Sequence, residues 1–277
     1  ITVGVGTGTW IPWNSGMDLP EKYATLPNIS FPKHLWNVGR MPANGLYTNP
    51  LLQDIDLWVQ CDAGFSFSSR PPARVVAHIA TDPHVLPYDG VRQLTDYFFN
   101  MQSFYSSPGD LVFPYAASKY DHYPMPELQA SPTADVAIIG LNYPVRNSLA
   151  NRLRRMGITV HHTLGLGMDE YREANNSAKV MVSWSSKNDL IARVFEAGAM
   201  KVPLVTNYVP ALQKHFEDNV DMLMFFDENR AVELISSILE NPSFGKSLAE
   251  NMHEKVKASH YYDHRVDFIL EKTGMYG

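Results

Sequence analysis

Ala134-Asp135-Val-Ala-Ile-Ile-Gly140, then Arg146 to Met156 closed by Gly157, then Ile158 to Thr163, is the stretch on which the fold turns. The first segment is a short apolar run ending in glycine, the mark of a buried strand, and the second has the length and glycine stop of a helix. The rhythm continues. Asp169 to Ser177 reads as a polar helix, Lys179 to Trp184 as a strand and Leu190 to Met200 as a helix. Val202 to Thr206 and Met222 to Phe226 supply further strands. Between 229 and 240, Ala231, Leu234, Ile235, Ile238 and Leu239 recur at helical spacing. Strand–helix alternation of this kind predicts a doubly wound parallel sheet.

Working outward, Pro124-Met-Pro126 through Ser131-Pro132 reads as a linker, because proline interrupts both helices and central strands. That divides the chain into an N-terminal domain, 1–131, and a C-terminal domain, 132–277. In the former, Ile55 to Val59, Arg74 to Ala80, Tyr97 to Met101 and Leu111 to Tyr115 are short apolar runs that suit buried parallel strands. The chain opens with a β-like run, Ile1 to Val5, and a glycine-rich turn, Gly4-Val-Gly6-Thr-Gly8-Thr9. A long Pro-, Asn- and Trp-rich stretch follows, of the kind that is functional or a lid. Two Rossmann-like halves in tandem are expected.

The 277 residues are 45% hydrophobic and 19% charged, enough for real cores and unlike a disordered chain. Lys and Arg total 23 against 29 Asp and Glu, a net charge of −6, with an isoelectric point near 5.9. That argues against a dedicated non-specific nucleic-acid binder. Cys61 is the single cysteine, which excludes an internal disulfide and a cysteine-based zinc site. No apolar run is long enough to span a bilayer, and the N-terminus lacks the basic region of a signal peptide, so a cytoplasmic location is expected.

In doubly wound sheets ligands bind beyond the carboxyl ends of the strands. After Gly140 comes Leu141-Asn142-Tyr-Pro-Val-Arg146, where a helix N-terminus and Arg146 can both receive a phosphate. Arg146 as a plain surface residue is the alternative. After the third strand comes Ser183-Trp-Ser-Ser-Lys187-Asn188-Asp189, in which Asp189 or Asn188 is placed to cap the next helix. Arg193 and Glu196, three apart, share a face of that helix, as a solvated ion pair or as functional groups.

The stretch Asn188-Asp-Leu-Ile-Ala-Arg193-Val-Phe-Glu196-Ala-Gly-Ala-Met-Lys-Val-Pro-Leu-Val-Thr206-Asn207 resembles the donor-site signature of GT-B glycosyltransferases. It looks most like the CgeB-like (spore maturation protein) branch. The likeness continues through Tyr208-Val-Pro210, Phe226-Asp227-Glu228, Asn241-Pro242 and His260-Tyr-Tyr-Asp-His-Arg265, and covers about 134–272. What the resemblance implies is a GT-B fold, two Rossmann-like domains with an interdomain cleft, and a metal-independent transferase. Its co-substrate would be a nucleotide sugar, UDP-linked, with no other cofactor. Glu196 would accept hydrogen bonds from the ribose hydroxyls, since a carboxylate can take two donors at once. Arg193 or Lys187 would neutralise the diphosphate leaving group. Asp189, Arg146, Asn142, Thr206 and Asn207 complete the expected donor site, with Gly6 and Gly8 bringing backbone amides to the phosphates. Many retaining relatives carry a second glutamate eight residues before Glu196, where this chain has Asn188, which leaves the stereochemical outcome open.

The N-terminal half would supply the acceptor site. Arg74-Val-Val-Ala-His78-Ile-Ala-Thr-Asp82-Pro-His84 is a strand running into a loop with titratable groups. Asp82 can deprotonate an acceptor hydroxyl, or it caps the turn before Pro83; His84 is the second candidate base. His78 lies within the strand and reads as a core residue. Trp10, Trp13 and Trp36 are able to stack on a sugar or base, or to pack beneath their own loop. Asp54-Ile-Asp56 starts a strand rather than following one, so it is rejected as a metal motif. His161 and His162 point to opposite faces of a strand and cannot chelate together. Tyr120-Asp-His122 and Tyr262-Asp-His264 repeat a tripeptide without evident meaning. The acceptor, whether glycan, protein, small molecule or hydroxylated nucleobase, is not written in the sequence. A nucleotide-sugar-binding protein without transferase activity is the first alternative, and an NAD-dependent oxidoreductase using Gly4 to Gly8 the second.

Overall fold

The computed structural model describes residues 3–7, 55–61, 69–185 and 187–275. Gly8, Trp10, Trp13, Trp36 and Asp54 lie outside the described residues. The chain divides into two compact units, Ile1–Pro114 with Ile269–Gly277, and Tyr115–Phe268.

The first unit is built on five strands: β1 (Val3–Thr7), β2 (Ile55–Cys61), β3 (Ala73–Ala80), β4 (Tyr97–Asn100) and β5 (Leu111–Val112). They lie side by side in chain order and every pairing is parallel, with Val5 opposite Val59, Val59 opposite Ala77, and Ala77 opposite Tyr97. The apolar runs explain this, because a parallel strand is covered on both faces. Ile55, Trp58, Val76, Ala80 and Phe98 form one core with Tyr88 and with Val91 of the short helix α1 (Asp89–Arg92). The expected glycine-rich turn is not where the sequence put it. Gly4 and Gly6 sit inside β1, in register with Trp58 and Gln60, so the pairing to β2 keeps the chain extended to Thr7. The run Leu111–Tyr115 is a strand only at Leu111–Val112, and the buried Phe113 packs at a tilt against Phe99, ring centres 5.3 Å apart.

The second unit alternates strand and helix. It opens with the short helix α2 (Pro126–Ala130), inside the segment expected to be a linker. Pro126 occupies the first turn, where a missing N–H costs nothing. Gln129 then donates to the Asn176 side chain and the Met200 carbonyl. Next come β6 (Ala134–Ile139), α3 (Pro144–Arg155), β7 (Val160–Thr163), α4 (Met168–Asn176), β8 (Ala178–Ser183), α5 (Ala192–Met200), β9 (Leu204–Asn207), β10 (Leu223–Phe225), α6 (Glu228–Glu240), α7 (Pro242–Ser259) and α8 (Tyr262–Lys272), whose residues from Ile269 onward belong to the first unit. The parallel sheet runs β10-β9-β8-β6-β7. β6 pairs with β7 on one side and β8 on the other, so the order reverses between β6 and β8.

Period-two alternation builds both faces of this sheet. Val136, Ile138, Val180, Val182 and Val205 face one core with Leu149, Leu153, Phe225 and Ile235. Met181 and Leu204 face the other with Phe195, Met200, Met252 and Val256. On that side α5 lies close against α7: a Cβ built on Gly198 would stand 2.6 Å from Val256 Cγ2, so only glycine fits. The chain leaves β6 at Gly140 with φ +134°, a backbone region reserved for glycine.

Candidate donor site in the second unit

The reversal between β6 and β8 creates the crevice where such sheets bind ligands. Arg146, in the first turns of α3, is 5% exposed. Its Nε and Nη2 donate to the Trp184 carbonyl at 2.8 and 2.5 Å, and Nη1 donates to the Leu141 carbonyl at 3.0 Å. Its guanidinium also lies 4.8 Å from the centre of the Tyr143 ring. The fork is therefore fixed by backbone at the ends of both β6 and β8.

Arg193, in the first turn of α5, reaches the same place. A Cβ on Gly140 would lie 2.6 Å from Arg193 Nη2 and 3.2 Å from Arg146 Nη1. Arg193 Nε is buried without a hydrogen-bond partner, and neither arginine is within 4 Å of a carboxylate among the described residues. Burial, followed by repulsion from Arg193, lowers the Arg146 pKa to about 10. Like charges brought together near a surface repel each other, so this arrangement is one that an anion relieves.

Glu196 lies one turn further along α5 and faces different partners. The Tyr171 hydroxyl donates to Oε2 at 2.6 Å, and His122 Nε2 is 3.8 Å from Oε1. The Ser118 amide donates to His122 Nδ1 at 3.2 Å, which leaves the ring proton on Nε2, facing the carboxylate. No ion pair joins Arg193 to Glu196. The solvated i,i+3 pair that their spacing allowed does not form.

The Asn207 side chain ties the end of β9 to the loop after β8. Oδ1 accepts from the Ser185 amide at 2.7 Å and Nδ2 donates to Ser185 Oγ at 3.0 Å. Thr206 is buried beside it. Asp189 does not cap α5: its Oδ1 accepts from the Lys187 amide at 3.1 Å, closing a local turn, and the helix starts after Ile191 without a side-chain cap. Lys187 and Asn142 are exposed on the loops that follow β8 and β6. Arg146, Arg193, Glu196, Thr206 and Asn207 are thus gathered at one end of one sheet.

Asp82 and His84 belong to the first unit, beyond the carboxyl end of β3. The Thr81 hydroxyl donates to Asp82 Oδ2 at 3.1 Å. The turn before Pro83 is closed by the Asp82 backbone carbonyl, which accepts from the Val85 and Leu86 amides. His84 lies against the Tyr105 ring at 5.5 Å. Gly4 and Gly6 sit within β1, so neither forms a phosphate-cradling or dinucleotide-binding turn. His78 is fully buried and stacked on Phe98, as a core histidine. Tyr171 and His122 escaped the sequence reading. Tyr171 looked like part of a polar helix, and His122 like half of a repeated tripeptide.

Residues 125–271 match the model of a family described as glycosyl transferase-like. No curated protein sequence matches the chain. Among solved structures, sucrose-phosphate synthase from Thermosynechococcus elongatus is similar at 13% identity and TM-score 0.55, over 79% of this chain and 73% of that one. Alr3699/HepE from Anabaena, solved in complex with UDP-glucose, is similar at 9% identity and TM-score 0.59, over 79% of each chain. AviGT4, a glycosyltransferase of avilamycin A biosynthesis, is similar at 12% identity and TM-score 0.58, over 83% of this chain and 75% of that one. At such identities the likeness speaks for the fold, which is GT-B.

Proposed function

The chain belongs to the glycosyl transferase-like family, and from that premise we propose that it moves a sugar from a UDP-linked donor to a hydroxyl acceptor without a metal ion. The observation that carries this reading is the pair Arg146 and Arg193, two guanidiniums at the switch point of a doubly wound sheet with no carboxylate within 4 Å of either among the described residues. A nucleoside diphosphate supplies the balancing charge. As the bond from the anomeric carbon to the diphosphate oxygen breaks, negative charge grows on the leaving group, and fixed cations stabilise it. Glu196 is assigned the ribose hydroxyls, a role that suits a carboxylate, whose oxygens can each accept more than one hydrogen bond. A UDP-glucose complex of a protein with this fold supports the choice of nucleotide.

The new bond forms from the acceptor oxygen to the anomeric carbon, and the acceptor proton passes to a base. Asp82 is assigned that proton and His84 is the second candidate. The Asn188 to Asn207 stretch favours the CgeB-like branch of the family. No described helix is long and apolar enough to cross a membrane, and we assign the enzyme to the cytoplasm.

Calorimetric titration of UDP tests the donor reading. Glu196→Gln should fold normally and bind UDP more weakly by about 1.5–3 kcal/mol, the scale of a hydrogen bond to a charged group. Unchanged affinity would remove Glu196 from the site. UDP-sugar binding with no transfer to any hydroxyl acceptor would leave a sensor rather than an enzyme.

A further inference from the structure

Arg193 and Glu196 stand three residues apart on α5, the spacing at which arginine and glutamate ordinarily pair. Here they do not. The part-buried hydroxyl of Tyr171 instead donates to Glu196 Oε2 at 2.6 Å, and the same hydroxyl interacts with the Arg193 guanidinium. Burial and the Glu196 carboxylate both hold this phenol well above its usual range, so it remains a donor.

Tyr171 is itself anchored. It projects from α4, whose first turn is closed by Glu170 accepting from the Gly167 amide at 3.0 Å. The same helix straps down the segment that carries His122. Arg172 donates to the Asp121 carbonyl, and the Asn176 side chain bonds the Tyr123 carbonyl and the Met125 amide. The His122 ring then meets the Tyr171 ring edge-on at 6.1 Å.

We propose that Tyr171 is a positioning residue that holds the Glu196 carboxylate off Arg193, with His122 as its support. The inference rests on the donor reading given above. If carboxylate and guanidinium collapsed onto each other, the arginine would lose its charge for the diphosphate. The glutamate would likewise lose acceptor capacity for the ribose. A hydroxyl that engages the carboxylate keeps one helix turn bifunctional.

The test uses two probes on the full chain, UDP for the whole site and inorganic pyrophosphate for the cations alone. Tyr171→Phe keeps the ring and removes one oxygen. It should weaken UDP binding about tenfold or more, and also weaken pyrophosphate binding, because the released carboxylate neutralises Arg193. In Tyr171→Phe/Glu196→Gln the pyrophosphate affinity should return to the wild-type value, a rescue that a purely structural role would not give. Pyrophosphate affinity unchanged in Tyr171→Phe overturns the proposal. Should Tyr171→Phe not fold, Glu196→Gln alone decides. Pyrophosphate affinity within about threefold of wild type supports the proposal, since Tyr171 already keeps the carboxylate away. A gain of about tenfold or more would mean that Glu196 was neutralising Arg193 all along, and would overturn it. Loss of the donor reading shows separately, as UDP affinity unchanged in Glu196→Gln.

Discussion

Arg146 and Arg193 come from two different helices and bring their guanidiniums to one point, the space that a side chain on Gly140 would fill. Arg146 is held there by the Trp184 and Leu141 carbonyls, and Arg193 by its place at the start of α5. Gly140 therefore serves twice. It permits φ +134° at the end of β6, and it leaves room for two cations.

Gly140→Ala should destabilise the fold by about 1–3 kcal/mol through backbone strain. The added methyl should also push Arg193 aside and weaken UDP binding more than tenfold, beyond what the loss of stability explains. Chemical unfolding and calorimetry on the same variant separate the two effects. A variant as stable as wild type with intact UDP affinity would contradict the close approach.

Asp82→Asn should abolish transfer while leaving UDP affinity unchanged, because Arg146, Arg193 and Glu196, the groups assigned above to the donor, lie in the second unit. The asparagine keeps the Thr81 contact and the backbone turn but takes up no proton. With a single base the configuration at the anomeric carbon should be inverted in the product. Full activity in Asp82→Asn would pass the role to His84, to be tested as His84→Gln.

Transfer should survive EDTA. On the proposed reading, Arg146, Arg193 and helix N-termini take over at the leaving group the positive charge that a divalent ion supplies elsewhere. Activity lost in EDTA and restored by manganese would count against that assignment. Arg193→Ala should lower turnover far more than it lowers the melting temperature.

Stability should fall on acidification below neutrality. His215 and His260 face each other at 5.1 Å beside Phe195 and Phe216. His260 Nδ1 accepts from Arg265 Nη2 at 3.0 Å. Burial, then the neighbouring charges, lower His215 to about 4 and His260 to about 3. Between those values and the ordinary pKa of about 6.5 the unfolded chain binds more protons, so stability rises with pH across that window and levels off above it. Urea midpoints at pH 7 and pH 4.5 measure the slope, which His260→Phe should flatten. Equal midpoints in the wild type would mean that the pair is solvated.

Much of the second unit was legible in the sequence because its signals are local. The run Asp135 to Gly140 is apolar on both faces, Gly157 ends a helix with φ +84°, and residues 231 to 238 repeat at helical spacing. Each is a property of a few neighbouring residues, so each survives without knowledge of the fold. Where a longer-range bond decided, the local signal misled. Proline marked 124–132 as a linker, yet Gln129 and Asn176 dock a helical turn there. Glycine marked 4–9 as a turn, yet pairing with β2 extends it through Thr7.

The donor site divides along the same line. The sequence by itself determined which residues carry the charges, Arg146, Arg193 and Glu196, and that they sit on loops and helix starts after parallel strands. Only the tertiary structure decided how those charges are apportioned. Spacing of three on a helix favours an Arg193–Glu196 pair by a few tenths of a kcal/mol. A part-buried hydroxyl 25 residues earlier in the chain outweighs it, because a hydrogen bond to a charged carboxylate is worth about 1.5–3 kcal/mol. Helix spacing is written along the chain, whereas the partner that outbids it is set by the packing of α4 against α5.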